Sequence, residues 1–574
     1  MVGARDIWFT NMSACEPASA LSDRCGRHQW RVIEYETADH QGALLFAPPD
    51  ADAPELALPL ALAGWHEVRV GLWPSPSHAP ATVRFRLTRD DAWRVLQTHG
   101  QSIEHVEETL LTRADLTGQS LRFAPPSATP RGPAGIAYVR CIPMSRGQVD
   151  PLKQDGPVGT NKRLIAFNDG EGLFCATPRT RGDLESYVAS LVDADYRQLN
   201  WGIVGEHVGY PTRVGRTFGQ GNAVCMNTDL TRQKECIESL IAAGIHPLRT
   251  VMDYAHKHGL AFHVYQRMGA FAALPPYDEP FNAKFYDDNP QWRCHLADGR
   301  PLMRCSLAHA PVRQHMVTIL REAAELGIDG INLNYKRGAP FVMYEQPMLD
   351  VFREQTGLDA RQLEEWDEPW LRFRAQAVTQ FMRELRQVLD DVGDRDGKRL
   401  EIGATTHPTP QECLYFGLDL QSWISEGLVD YLTPMGLSHG GKEVDMAHYQ
   451  RLTQGTRCRL SPFIPMGHDV WGESDDPVRA LYERALRYYD QGADGLSLWD
   501  STHYDWHATW HEAVGRLGHV DDLRRDLSAG DYPGGPAMVP LTSLGGNDLT
   551  IRTIPFDHQH VYPHGTPHHG WLGL

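Results

Sequence analysis

The sequence of 574 residues predicts an α/β protein, a (β/α)8 TIM barrel with an N-terminal all-β sandwich domain. Strand-like and helix-like segments alternate from about residue 160 to residue 525, as the barrel requires. The pattern Gly-x-Asp-Gly-apolar-x-Leu occurs twice, at residues 327–333 and 492–498, and each copy follows an amphipathic helix. Before residue 145 the segments are short and alternate between apolar and polar residues, which is typical of a sandwich.

Residues 1–145 are predicted to form the sandwich. Its predicted strands are residues 31–36, 67–72, 83–87, 121–123 and 136–142. Turn-rich pieces such as residues 47–50 separate them. Two interpretations of Trp65, Trp73 and Trp93 stay open, because an indole can stack on a sugar ring or fill a core or domain interface.

Residues 160–525 are predicted to form the barrel, after a polar linker at 145–161. The predicted strands are residues 164–168, 198–204, 260–265, 328–335, 400–405, 429–433, 460–464 and 495–499. The predicted helices are residues 183–193, 246–258, 311–326, 370–392, 418–426 and 477–489. Long insertions follow the second, third and fourth strands, where barrels place substrate loops.

Residues 526–574 are predicted to be a tail that packs on the other domains. Residues 548–554 can form a strand against the sandwich. A cluster of histidines follows, at His558, His560, His564, His568 and His569. Its spacing fits no structural zinc site, so we predict a mobile or inter-subunit tail. We also expect the sandwich to dock on the barrel, because the linker lacks a long Gly/Ser run.

Composition excludes several classes of function. The formal net charge of −18 argues against general binding to nucleic acid or to anionic membranes. The sequence contains no run of eighteen apolar residues, so it predicts no membrane span. Residues 1–23 lack a signal-peptide pattern. The ten cysteines form no CxxC or zinc spacing, and Cys175, Cys225 and Cys236 are expected in the core of a cytoplasmic protein. We predict no cofactor and no metal site, since no GxGxxG or P-loop occurs in its required context.

In a barrel the chemistry lies just after each strand. Carboxylates, aromatic rings, histidines and arginines accumulate there, and no phosphate-binding loop does. The predicted substrate-binding residues are Asp169, Trp201, His263, Tyr265, Arg267, Asn334, Arg337, Tyr344, His407 and Trp499. Paired carboxylates with aromatic platforms suit cleavage of a glycosidic bond, in which one carboxyl protonates the leaving oxygen and the other attacks or activates water.

The leading catalytic pair is Glu345 and Asp500. Glu345 is assigned as general acid and Asp500, beside Trp499, as nucleophile or base. Glu206 is the substitute for either, and Asp169 follows if a structure excludes them. We expect Arg337 to orient Glu345 or a substrate oxygen and not to be a surface charge.

The barrel resembles the broad group of glycoside-hydrolase-like TIM barrels. The resemblance rests on Gly-Ile-Asn-Leu-Asn-Tyr-Lys-Arg-Gly-Ala-Pro-Phe-Val-Met-Tyr-Glu at residues 330–345, Ala-Asp-Gly-Leu-Ser-Leu-Trp-Asp at 493–500 and Tyr-Pro-Thr-Arg-Val-Gly at 210–215. It implies a carbohydrate substrate and hydrolysis of O-glycosyl bonds. Such barrels often carry Asp at the end of strand four, where this chain has Asn334, so the acid or nucleophile has moved or the activity differs.

Three functions therefore remain open. The first is a glycoside hydrolase acting on an oligo- or polysaccharide or a glycoconjugate. The second is a metal-dependent TIM-barrel enzyme that uses His263, His407, His468 and a carboxylate, although no HxH or HExxH motif supports it. The third is a carbohydrate-binding barrel without catalysis, which Asn334 favours. Homo-oligomer formation is possible in each case.

Overall fold

The structure is a computed structural model. It describes residues 5–49, 51–74, 80–98, 103–126, 132–154, 161–170, 178–203, 205–269, 273–281, 283–436, 443–464, 476–499, 512–533 and 536–550. Two bodies follow one another along the chain, an antiparallel β domain and a barrel. The predicted fold class is confirmed.

The N-terminal domain contains two packed sheets. Its strands are β1 (Ile7–Phe9), β2 (Leu21–Ser22), β3 (Trp30–Thr37), β4 (Gln41–Ala47), β5 (Leu56–Pro59), β6 (Trp65–Leu72), β7 (Thr82–Leu87), β8 (Arg94–Gln97), β9 (His105–Asp115), β10 (Ser120–Ala124) and β11 (Ala134–Pro143). One sheet runs β2-β3-β4-β11-β6-β9 with β1 on β11, and the other runs β5-β10-β7-β8. Apolar side chains of both sheets share one core, in which Leu45, Val70, Phe85 and Phe123 are fully buried.

Two of the three tryptophans whose role was left open above have structural partners. Trp73 is buried, and its indole N–H donates to the Ile103 carbonyl at 3.1 Å. The guanidinium groups of Arg84 and Arg86 lie over the ring of Trp93. Trp65 is half-buried at the start of β6. For Trp73 and Trp93 the packing interpretation is therefore the better one.

Parallel strands of the described residues form the barrel. Its segment contains β12 (Leu164–Asn168), β13 (Tyr196–Ile203), β14 (His207–Val208), β15 (Arg216–Thr217), β16 (Ala261–Arg267), β17 (Arg293–His295), β18 (Pro301–Cys305), β19 (Gly330–Asn334), β20 (Glu401–Thr406), β21 (Tyr431–Pro434), β22 (Arg459–Leu460) and β23 (Leu496–Trp499). The barrel order is β12-β13-β16-β19-β20-β21-β22, and β23 pairs with β12. A parallel bridge between Phe463 and Ser497 closes the ring.

Helices surround the barrel and follow its strands. The α-helices of the described residues are α1 (Arg146–Gln154), α2 (Arg181–Val192), α3 (Thr228–Ala242), α4 (Pro247–Lys257), α5 (Asp278–Phe281), α6 (Lys284–Asp288), α7 (Ala310–Ala324), α8 (Gln346–Thr356), α9 (Glu368–Asp396), α10 (Pro410–Tyr415), α11 (Leu420–Ser425), α12 (Met446–Thr453), α13 (Pro477–Asp490) and α14 (Val520–Ala529). None of these helices combines the length and apolar character that crossing a bilayer requires.

The repeated pattern Gly-x-Asp-Gly-apolar-x-Leu has the same structural role at residues 327–333 and at residues 492–498. Gly327 and Gly492 adopt φ of 104° and 93°, a region that favours glycine. Asp329 then accepts a hydrogen bond from the backbone N–H of Phe262, and Asp494 accepts one from Leu460, both at 2.8 Å. Each aspartate thus ties its own strand to the neighbouring one at the N-terminal end of the barrel. Both copies of the pattern therefore have a structural role and contribute no residue to the candidate site.

The chain returns to the N-terminal domain after the barrel. Strand β24 (Ala537–Leu544) pairs with β9 through its first half and with β3 through its second half, and β25 (Asn547–Asp548) forms a hairpin with it. The tail strand therefore starts earlier than predicted. The histidine cluster and most of the predicted strand 548–554 lie outside the described residues.

Charged side chains join the two domains. Arg69 and Arg113 of the sandwich both pair with Glu67, and both also pair with Glu512 at 3.2 and 3.0 Å. At a second contact, Arg94 pairs with Asp193 just after α2 at 2.6 Å. The pairs are partly buried, so each charge loses less to solvent screening than an exposed pair would.

Candidate functional site

The lower and middle levels of the barrel interior are polar. The Tyr431 hydroxyl lies 2.8 Å from Gln198 Nε2 and 3.0 Å from His263 Nδ1. Thr405 donates to Asn332 Oδ1 at 2.8 Å. All five side chains are buried and come from strands β13, β16, β19, β20 and β21. His263 therefore belongs to a hydrogen-bonded core below the mouth of the barrel, and its predicted role as a substrate-binding residue at the mouth is wrong.

Burial also sets the charge of His263. Its side chain is 1% exposed, and desolvation lowers its pKa to about 4, although the nearby Glu401 carboxylate acts in the opposite direction. The imidazole is consequently neutral at neutral pH. This suits a hydrogen-bonding core residue.

A carboxylate, an arginine and two aromatic rings meet at the upper end of the barrel. Asp169, directly after β12, accepts a hydrogen bond from the Tyr265 hydroxyl and forms an ion pair with Arg267. The ring of Trp499 stacks on Phe167 with a centroid distance of 5.6 Å and meets Tyr265 edge-on at 5.5 Å. Four predicted site residues, Asp169, Tyr265, Arg267 and Trp499, are thus brought together.

A glycine makes this contact possible. A Cβ atom at Gly202, on the strand between those of Asp169 and Tyr265, would lie 2.3 Å from the Asp169 carbonyl oxygen and 3.0 Å from Tyr265 Cε1. Neither neighbour tolerates such an approach without moving, because real Cβ contacts are longer. Position 202 must therefore stay without a side chain if Tyr265 is to reach Asp169.

A second group of polar residues lies at the ends of strands four and five. The Asn334 side chain is fully buried, and its Nδ2 has no hydrogen-bond partner among the described residues. Lys336 Nζ lies 3.5 Å from Nδ1 of His407, whose Nε2 also lacks a partner within the described part of the chain. Burial, followed by the charge of Lys336, lowers the pKa of His407 to about 4, and burial lowers the pKa of Lys336. The described residues therefore leave the hydrogen-bonding capacity of these two buried nitrogens unused.

Lys336 is a site residue that the sequence did not single out. It lies in the charged loop after strand four, where a lysine is usually solvated. Its position two residues after the buried Asn334 was the available signal, because alternate residues along a strand point to the same side.

Glu345 does not reach over the mouth of the barrel. Its side chain is 1% exposed, and its oxygens accept hydrogen bonds from the backbone N–H groups of Met343 and His295. Burial raises its pKa, while these bonds oppose the rise. His295 belongs to the hairpin β17–β18, which covers Glu345. The assignment of Glu345 as general acid is therefore wrong, because a proton donor needs access to the leaving oxygen.

Glu206 is also enclosed. It is 5% exposed, accepts from the Phe285 N–H at 3.2 Å and pairs with His315 at 3.4 Å. Burial would raise its pKa, but the bonds from His315 and Phe285 outweigh burial and lower it. Helices α6 and α7 provide these partners. Glu206 thus fixes the insertion after strand three, which weakens its case as a substitute catalyst.

Three further predicted site residues do not join either of these groups. Trp201 is 3% exposed and packs in the layer between strands and helices, since alternation along β13 directs Gln198 and Asn200 inward instead. Arg337 is exposed, so the expectation that it is not a surface charge is wrong. Tyr344 packs its ring on Trp370 at 5.4 Å, on the outer side of the loop.

Several residues that the sequence predicts at the mouth lie outside the described residues, among them Asp500, His468 and parts of the segments after strands one, three, six, seven and eight. Within the described ranges, no group of three or more His, Cys, Asp or Glu side chains is arranged to hold a metal ion. His263 and His407 have separate sets of partners and do not converge.

Comparison with known proteins supports a glycosidase-like family. Residues 228–454 match a family described as glycosyl hydrolase-like 10. This span runs from α3 to α12, and the resemblance to glycoside-hydrolase-like barrels is confirmed. No curated protein matches the chain.

The solved structures that match the chain do so at low identity and low TM-score. A GH18 chitinase from Pseudoalteromonas aurantia is 11% identical, with 62% of this chain and 99% of that chain covered and a TM-score of 0.32. An alpha-galactosidase from Thermus thermophilus in complex with stachyose is 11% identical, with coverages of 91% and 99% and a TM-score of 0.35. A morphinone reductase is 13% identical, with coverages of 65% and 88% and a TM-score of 0.34. These similarities are too low to carry an argument about activity.

Proposed function

We propose that this chain, whose residues 228–454 match a glycosyl hydrolase-like family, cleaves a glycosidic bond at the mouth of its barrel with Asp169 as a catalytic carboxylate. The observation that carries the proposal is the meeting of Asp169, Tyr265, Arg267 and Trp499. An indole face beside a held carboxylate offers both a platform for a sugar ring and a charge beneath its anomeric carbon.

Asp169 suits the role of nucleophile or base. It accepts a hydrogen bond from Tyr265 and pairs with Arg267, and both interactions involve its carboxylate form. A general acid must instead carry a proton at the start of the reaction. A second carboxyl group is therefore required.

Asp500 is the proposed partner. It follows Trp499 in the sequence, and Trp499 is paired in register with Phe167, two residues before Asp169.

Asn334 has a binding role in this proposal. Its unpartnered Nδ2 is a donor for a sugar hydroxyl, and an unpaired buried donor costs about 1–3 kcal/mol unless a ligand or water satisfies it. His407 Nε2, at the end of the next strand, is a second buried nitrogen that a sugar hydroxyl would satisfy. A neutral carbohydrate is thus the proposed substrate. The cytoplasmic location and a homo-oligomeric state stay predictions.

The second candidate function is a carbohydrate-binding barrel without catalysis. The observation that favours it is the amide at Asn334, where related barrels carry a carboxylate. In that case Asp169 would orient the sugar and would not react with it. The two candidates share a ligand class and differ in turnover.

Hydrolysis of aryl glycosides by the purified chain tests the proposal. We expect Asp169→Asn to reduce kcat by about a thousandfold or more, because an amide cannot act as nucleophile or base. Tyr265→Phe, which keeps the ring and removes the donated O–H, should reduce kcat about ten- to a hundredfold. Glu206→Gln serves as the control and should retain activity.

The outcomes separate the candidates. A wild-type chain that binds sugars but hydrolyses none of the glycosides supports the binding barrel. Full activity of folded Asp169→Asn removes Asp169 from the chemistry, and loss of activity in Glu206→Gln alone moves the role to Glu206.

A further inference from the structure

A pocket of about 370 Å³ lies on the same end of the barrel as the mouth, beyond strands three to five. Its walls come from the turn of the hairpin β17–β18, the loop before α8, the loop between α8 and α9, and the end of α10. All of these segments follow the carboxyl ends of β16, β19 or β20. Asp169 follows β12, on the other half of the rim, so the pocket is separate from the proposed catalytic centre.

Aromatic rings form part of the pocket. Tyr344 and Tyr415 line it, and Trp366 packs against Tyr415 with a centroid distance of 4.3 Å. Trp366 remains 48% exposed, which is unusual for a side chain of this size. An exposed indole that adjoins a polar pocket is a surface on which an apolar sugar face can stack.

The charges of the pocket balance. Two acidic and two basic side chains line it, Asp298, Glu365, Arg361 and Arg374. Asp298 is paired with Arg300 at 2.7 Å, Arg361 with Asp359 at 2.7 Å, and Glu365 accepts the Tyr415 hydroxyl. An ionic ligand would therefore find no complementary excess of charge on these walls, whereas a neutral ligand with many hydroxyl groups would find polar edges.

One donor of the pocket has no partner. Arg374 is 2% exposed, and its Nη2 donates to the Tyr415 carbonyl at 2.7 Å. Its Nε is without a hydrogen-bond partner among the described residues. Because this nitrogen is enclosed, it can pair with a ligand or water oxygen only after a small movement of the wall.

We propose that this pocket is a distal subsite that binds a neutral oligosaccharide whose other end is cleaved at Asp169. The inference rests on the proposed function and adds to it the class of substrate. A chain of sugars that fills both places must cross the rim of the barrel, so the substrate is an oligosaccharide of several units. Disaccharides and aryl glycosides occupy the catalytic half alone.

Trp366→Ala and Tyr415→Ala in the full chain test the subsite, with Tyr277→Ala as the control. Tyr277 is 47% exposed on the segment after strand three and does not line the pocket. The probes are neutral hexasaccharides of β-1,4-glucose, β-1,4-xylose, α-1,4-glucose and β-1,4-N-acetylglucosamine, each compared with an aryl glycoside of the same sugar. Binding is measured by calorimetry in the Asp169→Asn background, and hydrolysis is measured in the wild-type background.

We expect Trp366→Ala to weaken hexasaccharide binding and raise its KM by about tenfold or more, because buried indole contacts dominate recognition. The aryl glycoside should keep its kcat/KM, and Tyr277→Ala should change neither. Circular dichroism checks that the variants are folded.

The binding and hydrolysis results distinguish a failure of the subsite from a failure of the proposed function. Hydrolysis of aryl glycosides with an unchanged hexasaccharide KM in both pocket variants overturns the subsite and leaves the proposed function. Hexasaccharide binding that depends on Trp366, in a wild-type chain that hydrolyses nothing, overturns the proposed function and keeps a carbohydrate site. No binding of any hexasaccharide at millimolar concentration overturns the subsite.

Discussion

His263 is the residue whose burial has the clearest measurable effect. It is held between Gln198 and Tyr431 inside the barrel, and burial lowers its pKa from 6.5 to about 4. In the unfolded chain the imidazole regains its ordinary pKa. As the pH falls from 6.5 towards 4, the unfolded chain therefore binds a proton that the folded chain does not, and stability is lost.

We expect the free energy of unfolding to fall by about 2 kcal/mol between pH 7 and pH 5 because of His263 alone. His263→Gln keeps a polar side chain and removes the titration. Urea unfolding of both proteins at both pH values isolates the contribution, since the other groups cancel in the difference. An equal pH dependence in the two proteins would show that folding does not lower the pKa of His263.

Several individual residues of the candidate site could be predicted from the sequence. Asp169, Tyr265, Arg267 and Trp499 were predicted because each ends a buried strand. Trp201 was misplaced, although strict alternation with Gln198 and Asn200 would have directed it outward. Nothing in the sequence around Glu345 indicates that its side chain is buried, because the burial depends on a hairpin fifty residues earlier whose backbone donates to it.

At the scale of elements, most of the predicted barrel strands and helices lie close to where periodicity places them, whereas α3 and α12 were not predicted and the strand predicted at 460–464 is observed as Arg459–Leu460. The strand predicted at 164–168 is observed as Leu164–Asn168, and the helix predicted at 477–489 is observed as Pro477–Asp490. Both have strong, self-contained patterns. The hairpin β17–β18 and helix α8 lie in insertions whose conformation depends on tertiary contacts, so periodicity could not locate them.

Glu345 connects the hairpin β17–β18 to the start of α8 through hydrogen bonds. Removal of its side chain should therefore destabilise this contact. We expect Glu345→Ala to destabilise the protein by about 2–4 kcal/mol, because the backbone N–H groups of Met343 and His295 lose their acceptor. Glu345→Gln retains an acceptor oxygen and should keep both the fold and the proposed glycosidase activity. Denaturant titration and kcat measure the two effects.

The Gln variant is the decisive one for this residue. If folded Glu345→Gln lost several orders of magnitude in kcat, Glu345 would return as the general acid. A small loss in both stability and activity would indicate that the hairpin shapes the mouth without taking part in the chemistry.

At the scale of the whole molecule, the two domains are connected at several places. Glu512, beyond the last barrel strand, pairs with Arg69 and Arg113 of the sandwich. Strand β24 then completes the sandwich sheet between β9 and β3. The sandwich thus contains residues from both ends of the described chain and depends on the barrel to bring them together.

A chain that stops after residue 533 should lose the integrity of its sandwich. The loss of β24 leaves β3 and β9 with unpaired edges and exposes the pocket that buried Leu541 fills. We expect the melting temperature to fall by about 5 °C or more, since losing a paired strand costs more than about 2 kcal/mol. A chain that stops after residue 550 keeps β24 and should melt as the full chain does.

Limited proteolysis locates the damage. Cleavage of the shorter chain should appear first within residues 30–143, while the barrel resists. Equal melting of the two shortened chains would show that β24 adds nothing to the sandwich.

The path of β24 also sets the order in which the protein can be completed during synthesis. The last of the N-terminal strands ends at Pro143, and the strand that fills the gap in their sheet starts at Ala537. At a synthesis rate of about 5–20 residues per second, roughly 20 to 80 seconds separate their emergence from the ribosome. Throughout that interval two strand edges of the first domain stay open to neighbouring nascent chains. The domain made first is therefore the one finished last.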